Sequence, residues 1–416
     1  MGVILEQIIN FYTSSHDFNW IIASNIDFSD IWDPKQILKE LLENWDINMV
    51  FSKGNYNIHI QQFPHQSIDK QKKSLNECDL HSIGVYPTRK VLEVIVDKNK
   101  YIDKPFTYLL AIWDPQLSYQ TFDLSVLENY RNDPRYNLEC GDFEWRLSVN
   151  RENELDKKDE IFIQSFWFWL DKNWYRCIVC FLRYLSDITP THQKIWEAKI
   201  KPWSDFEIHD IYAKSTIWDR SCTDYISMFD ATIEEIKHIN NMTKNIKWTS
   251  LFNDEFEKER PKEFWFLLRP TQKAFYEFIH LLDKMVSENI NRDFFKWDIN
   301  LEKEIERDDW KIIIEQKWTL SLLFERIEKN FLMPNIKPFE EAKKIFKEIR
   351  NIRQIPSHTI YDDKYDLEYF KKQRELMINL YWWIRNIRLL VENHPKNKEY
   401  KEIPDYLKNP EYILTY

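Results

Sequence analysis

The sequence predicts an α+β protein in which a mixed strand and helix region is followed by a mainly helical bundle. The first 200 residues contain short β-branched and aromatic runs bounded by Pro, Asp, Asn or Lys, which is typical of strands. From about Thr191 the apolar residues recur three and four positions apart, which is the helical period. Because 416 residues exceed a single small core, we expect two domains, at 1–200 and 201–416.

The N-terminal region begins with two expected helices, at 3–12 and 34–42, the second with a proline in its first turn. Strands are then expected at 49–63, 82–87, 91–97, 106–114 and 143–150. The charged run 151–160 is expected to form an exposed loop. Behind it, two apolar runs flank Asn173 and Trp174, and they predict a hairpin if position 174 is glycine.

The C-terminal region shows helical periods in six segments. These are 189–199, 231–242, 270–290, 319–332, 338–353 and 366–394. The segment 310–318 interrupts them, and it is expected to be a small strand between two turns if both of its terminal tryptophans are glycine.

Tryptophan and glycine occur in inverted proportions. The chain has 18 tryptophans and 4 glycines, whereas glycine normally makes up about 7% of a protein. Several tryptophans follow Asn, Asp or Lys in turn contexts where glycine is usual, namely Trp20, Trp45, Trp174, Trp248, Trp297, Trp310 and Trp318. The chain is also rich in Ile, Lys and Asn, the residues of A+T-rich codons. We therefore expect UGA codons that mean glycine in the source, with Trp174, Trp310 and Trp318 the strongest candidates; the alternative is a genuinely aromatic-rich chain.

Composition predicts a soluble globular protein, with 43% hydrophobic and 30% charged residues. No run of 18 apolar residues occurs, and the first residues lack the basic start of a signal peptide, so neither a membrane span nor export is expected. Five scattered cysteines do not make a disulfide framework, which favours a cytoplasmic location.

The distribution of charge separates the two ends of the chain. Residues 337–416 carry a net charge of +3 and the preceding residues −13, within a total of −10. A polyanion site is therefore more plausible near the C-terminus, although a solvated helical face explains the small excess equally well. The acidic N-terminal region is expected to meet a protein partner, if any.

Common catalytic and nucleotide motifs are absent. The sequence contains no phosphate-binding glycine loop, no G-x-S-x-G, no H-E-x-x-H and no EF-hand loop, so we predict no cofactor and no metal site. Cys177 and Cys180 have C-x-x-C spacing, but they lie in an apolar run without a second pair, and we expect them to be buried structural residues.

One chemical lead lies near the C-terminus. An apolar-faced helix at 338–352 runs into Arg353, and His358 follows five positions later, beyond a helix end imposed by Pro356. This R-x4-H element, followed by a loop and a long amphipathic helix, resembles the HEPN superfamily of helical bundles over about 270–395. Through the segments 122–140, 266–295 and 369–377, the wider chain also resembles a bacterial protein family. That resemblance implies glycine at several of the tryptophan positions and implies no activity.

The HEPN resemblance implies a metal-independent endoribonuclease that acts on single-stranded RNA as a homodimer, within a microbial conflict system. His358 would be the acid or base, Arg353 would hold the charge of the phosphorane, and Gln354 would orient the histidine or bind a phosphate oxygen. Gln354 departs from the Asn, Asp or His that usually follows the arginine.

Two alternatives remain open for this element. Arg353 and His358 could instead cap the last carbonyls of the helix. Random placement supplies about one arginine–histidine match with four to six intervening residues in a chain of this composition, and Arg388 with His394, five residues between them, is indeed a second such match. The corresponding alternative function is a non-catalytic helical protein that docks onto a partner subunit.

Overall fold

The computed structural model describes the chain except for 1, 17, 52–65, 141–143, 151–154, 172–174, 203–205, 208–224, 257–259, 307–311, 331–336, 355–361 and 416. The described residues form two compact units, unit 1 (Met1–Glu207) and unit 2 (Ile208–Tyr416). Strands and helices mix in the first unit and helices dominate the second, so the predicted α+β fold is confirmed.

Unit 1 contains helices that pack on two antiparallel sheets. Its helices are α1 (Gly2–Ser14), α2 (Pro34–Glu43), α3 (Ile68–Glu77), α4 (Arg89–Ile95), α5 (Pro105–Ala111), α6 (Glu128–Arg131), α7 (Leu182–Asp187) and α8 (Pro190–Glu197). Its strands are β1 (Ile21–Ile22), β2 (Ile47–Phe51), β3 (Ile83–Pro87), β4 (Tyr119–Asp123), β5 (Tyr136–Cys140), β6 (Glu144–Val149), β7 (Phe162–Asp171), β8 (Arg176–Phe181) and β9 (Phe206–Glu207). The strand orders are β1-β3-β2 and β4-β8-β7-β6-β5, with β9 paired to β7.

Local sequence explains how these elements begin and what they bury. Pro34 opens α2, and the Asp33 carboxylate caps it by accepting hydrogen bonds from the next free backbone N–H groups. The indole of Trp196, on α8, is fully buried, and its Nε1 donates to the Tyr130 hydroxyl at 3.1 Å. The Tyr130 hydroxyl also lies 2.9 Å from Nδ1 of His192.

The prediction of strands at 91–97 and 106–114 is wrong. The structure has the helices α4 and α5 in these segments. Pro105 supplies a favourable first helical position, and the buried Phe106 and Leu110 lie one turn apart, so helical packing outweighs the β propensity of the aromatic residues. The expected strands at 82–87 and 143–150 correspond to β3 and β6; of 49–63, β2 accounts for the first part and 52–63 lie outside the described residues.

Unit 2 is built mainly from helices. These are α9 (Met228–Lys247), α10 (Gln272–Asp283), α11 (Thr319–Asn330), α12 (Lys337–Gln354), α13 (Glu368–Glu392) and α14 (Asp405–Lys408). Its strands are β10 (Ile226–Ser227), β11 (Glu302–Glu306), β12 (Ile312–Gln316) and β13 (Ile413–Leu414). Strands β10 and β13 pair in parallel, whereas β11 and β12 form an antiparallel ladder. The strand expected within 310–318, on the condition of glycine at positions 310 and 318, is present as β12, and residues 310–311 lie outside the described part of the chain.

Four tryptophans have a left-handed backbone. They are Trp45 (φ 60°), Trp113 (φ 86°), Trp248 (φ 64°) and Trp297 (φ 78°). In the described part of the chain, only Phe18 and Phe256 join them as non-glycine residues at positive φ, and no described glycine has this conformation. Of the three strongest sequence candidates for glycine, Trp318 is 61% exposed but is not at positive φ, and Trp174 and Trp310 lie outside the described residues.

Candidate functional site

Arg353 lies in the last turn of α12 and is held by two carboxylates of its own chain. Its guanidinium donates to the Asp283 carboxylate, which is 4% exposed, and lies 2.7 Å from Oε1 of Glu288. The hydrogen bond to Asp283 raises the pKa of Arg353, with a further contribution from Glu288. The positive charge of Arg353, which the sequence predicts would stabilise a phosphorane, is therefore neutralised by carboxylates of the same protomer.

A π-helical turn explains why one arginine reaches both carboxylates. Helix α10 ends at Asp283, and the next five residues, Lys284–Glu288, form this turn. Because π-helical hydrogen bonds join residues five positions apart, Asp283 and Glu288 come to lie on the same side of the backbone. In a regular α-helix, side chains five positions apart point in different directions. Helical periodicity therefore does not predict that Asp283 and Glu288 lie together.

The same residues line a cavity of about 240 Å³. Its wall also contains Ser287, Trp318, Thr319, Leu320 and Arg350. The Arg350 guanidinium lies 3.9 Å from the centre of the Trp318 ring, a cation–π contact. The Ser287 hydroxyl is buried and has no hydrogen-bond partner among the described residues. The cavity thus combines two guanidinium groups, two carboxylates and one unsatisfied hydroxyl.

The remaining predicted site residues are not placed beside Arg353 by the described structure. His358 lies outside the described residues. Gln354 is the last residue of α12, and its side chain also lies outside the description. The relationship between Arg353, Gln354 and His358 therefore stays a prediction.

The second arginine–histidine match is structural. Arg388 is buried on α13 and binds the fully buried Glu235 of α9, with 2.7 Å between Nε and Oε2. Its Nη1 lies 2.5 Å from Glu392. Burial raises the pKa of Glu235, and Arg388 opposes this shift. His394 instead accepts a hydrogen bond from the backbone N–H of Lys396 at the next turn.

Cys177 and Cys180 are both buried in β8, as predicted. Residues three apart on a strand point to opposite faces, so these two thiols cannot share one ligand. Burial raises the pKa of the Cys180 thiol. In the described part of the chain, no three His, Cys, Asp or Glu side chains are grouped to hold a metal ion.

The β11–β12 hairpin exposes an apolar row. Ile312 and Ile314 point to one face of β12 and are 65% and 63% exposed. Glu304 lies opposite Ile314 on the same face of β11, and Glu302 lies beside Gln316. Within the described residues, β12 pairs with β11 alone, so its other edge is open.

The described helices include none with the length and apolarity needed to cross a membrane. No protein-family model, curated protein or solved structure matches the chain.

Proposed function

We propose that unit 2 is a non-catalytic docking module that associates with a second copy of itself through the open edge of β12. The observation that carries this proposal is the exposure of Ile312 and Ile314 on one face of a strand whose second edge is unpaired among the described residues. Open edges pair readily with other strands. Full burial of one isoleucine side chain contributes about 1.5–3 kcal/mol to the free energy of association.

The sequence of β12 suits antiparallel pairing with itself. If Ile313 lies opposite Ile313 of the second copy, then Ile312 lies opposite Ile314 of that copy, and both fall on the exposed face. The contact is self-complementary, as a two-fold interface requires.

Charge selects β12 rather than β11 as the pairing edge. The exposed Glu302 and Glu304 of β11 would face like charges if two β11 edges met. Pairing through β12 gives the order β11-β12-β12-β11, which keeps the acidic strands on the outside. Arg353 supports the same function, because its ion pairs with two carboxylates hold α12 in place and leave no net positive charge for an anionic substrate.

Light scattering and sedimentation over a concentration series test this proposal. We expect a dimer that Ile314→Glu converts to monomer, while Val94→Glu, a matched change at an apolar residue of unit 1 that is 85% exposed, leaves it intact. A monomer at all concentrations, or a dimer insensitive to Ile314→Glu, would contradict it.

A second candidate is the RNA-directed activity of Arg353, Gln354 and His358. It is favoured by the cavity beside Arg353, where Arg350 and the unsatisfied Ser287 hydroxyl could also meet a phosphate oxygen. In this function two copies supply the acid and the base, and single-stranded RNA is the substrate.

Cleavage of unstructured RNA in excess EDTA distinguishes this candidate. If the site is catalytic, His358→Ala abolishes cleavage and the matched His394→Ala retains it, since an acid or base contributes about 10²-fold or more. Unchanged cleavage in His358→Ala would reject the site, and no binding or cleavage at low salt would leave the docking function.

A further inference from the structure

Helix α2 ends at Trp45 in a motif that normally ends in glycine. The Trp45 N–H donates to the Leu42 carbonyl at 3.1 Å, and the Asp46 N–H donates to the Leu41 carbonyl at 2.9 Å. These two bonds define a Schellman motif with residue 45 in its left-handed position. Glycine is favoured there because a Cβ crowds the backbone at positive φ.

Helix α5 ends in the same way. The Trp113 N–H donates to Leu110 at 2.9 Å, and the Asp114 N–H donates to Leu109 at 2.8 Å. Trp113 again occupies the left-handed position.

Trp248 and Trp297 occupy two further glycine positions. At the end of α9, the Trp248 N–H donates to the Lys244 carbonyl at 2.7 Å, which is the αL form of a helix end. Residues 295–298 form a turn closed by the Asp298 N–H and the Phe295 carbonyl at 3.1 Å. Lys296 has φ −53° and ψ 134°, and Trp297 has φ 78°, so this is a type II turn with tryptophan where glycine is required.

Packing does not explain three of these four tryptophans. Trp45, Trp248 and Trp297 are 63%, 93% and 99% exposed. Only Trp113 is buried, where it stacks on Tyr86. A tryptophan selected for its side chain is instead exemplified by Trp196, which is fully buried and hydrogen bonded. Phe18 and Phe256 also have positive φ, so positive φ alone does not identify a glycine position, whereas the four hydrogen-bonded motifs do.

We infer that the natural protein carries glycine at positions 45, 113, 248 and 297, because its source organism decodes UGA as glycine. Genetic codes differ in reading UGA as stop, tryptophan or glycine, whereas UGG means tryptophan in all of them. The excess of tryptophan over glycine in the whole chain has the same origin. Trp196, which packs and bonds as a tryptophan, is encoded by UGG.

Glycine at two of these positions also changes a cavity of unit 1. Trp45 and Trp113 line the same cavity of about 690 Å³, together with Gln71, Arg89 and Asp114 among others. Without the two indoles this cavity is wider and its wall is more polar.

Peptide mass spectrometry of the protein isolated from its source organism tests the inference, with the codons read from the same material. We expect the glycyl mass and UGA at positions 45, 113, 248 and 297, and the tryptophyl mass and UGG at 196. Tryptophan at 45, 248 and 297 would overturn the inference. Glycine at 196 would overturn the rule that buried, hydrogen-bonded tryptophans are genuine.

Discussion

The Arg353 guanidinium at the end of α12 donates to the buried carboxylate of Asp283 at the end of α10. The two residues are far apart in sequence, and their ion pair fixes the end of one helix against the end of another. Only the Asp283 carboxylate is deeply buried. Removal of Arg353 and removal of Asp283 should therefore change the free energy of unfolding by different amounts.

Replacement of Arg353 should therefore destabilise unit 2 by leaving Asp283 without its cation. We expect Arg353→Ala to lower the free energy of unfolding by about 1–3 kcal/mol, because a buried charge loses its partner. Adding Asp283→Asn should recover most of this loss. Urea unfolding measures both effects. Arg350→Ala, one turn earlier, removes only a ring contact and should cost about 1 kcal/mol or less; equal losses in the two single variants would refute the role of Asp283.

Protonation of His192 should make unit 1 less stable in mild acid. Burial lowers the pKa of His192, although a bond to the Asp159 carbonyl opposes the shift. Below the unfolded pKa of about 6.5 the unfolded chain binds a proton that the folded chain does not, so stability falls until the lower folded pKa is reached. Unfolding free energies between about pH 5 and pH 8 should show this slope. His192→Gln should flatten it, and an unchanged slope in that variant would assign the effect to other groups.

Replacement of tryptophan by glycine should have opposite effects on the free energy of unfolding at positions 248 and 196. In protein made with the written sequence, Trp248→Gly should raise the free energy of unfolding by about 1–2 kcal/mol, because the left-handed conformation is costly for other residues. Trp196→Gly should lower it by about 3–5 kcal/mol or more, because it empties a buried site. Thermal and urea unfolding measure both. A loss of stability in Trp248→Gly would contradict the structural argument.

Truncation of Arg388 should be more damaging than its replacement together with its partner. Arg388→Ala leaves Glu235 as an unpaired charge in the core and should cost about 3–5 kcal/mol. Arg388→Met combined with Glu235→Leu should cost much less, since two apolar groups need no counter-charge. Circular dichroism during urea unfolding provides the comparison. The pair would not be a buried ion pair if the double variant were as unstable as Arg388→Ala.

Long periodic segments made most of the fold predictable. The helical spacing of apolar residues in α9, α12 and α13 was sufficient to predict these elements, whereas the strand β12 was predicted only on the condition of glycine at positions 310 and 318. Helix α5 was missed because its aromatic residues favour a strand and its end is marked by Trp113. A glycine at that position would have signalled the end of a helix.

The candidate site was less predictable because its geometry depends on a backbone irregularity. Arg353 was found from its place at a helix end, but its partners were not. Asp283 and Glu288 are brought together by a π-helical turn, and a spacing of five residues carries no signal in ordinary helical periodicity.

The left-handed end of α2 has a consequence for inheritance. If position 45 is encoded by UGA, as we infer, a ribosome that reads UGA as a stop signal would release the chain at Asn44 or earlier, before β2 and β3 are made. A fragment that ends at Asn44 contains α1 and α2 but lacks β3 and β2, which pack against them. With that codon, the gene would be silent after transfer to a host that reads UGA as a stop signal.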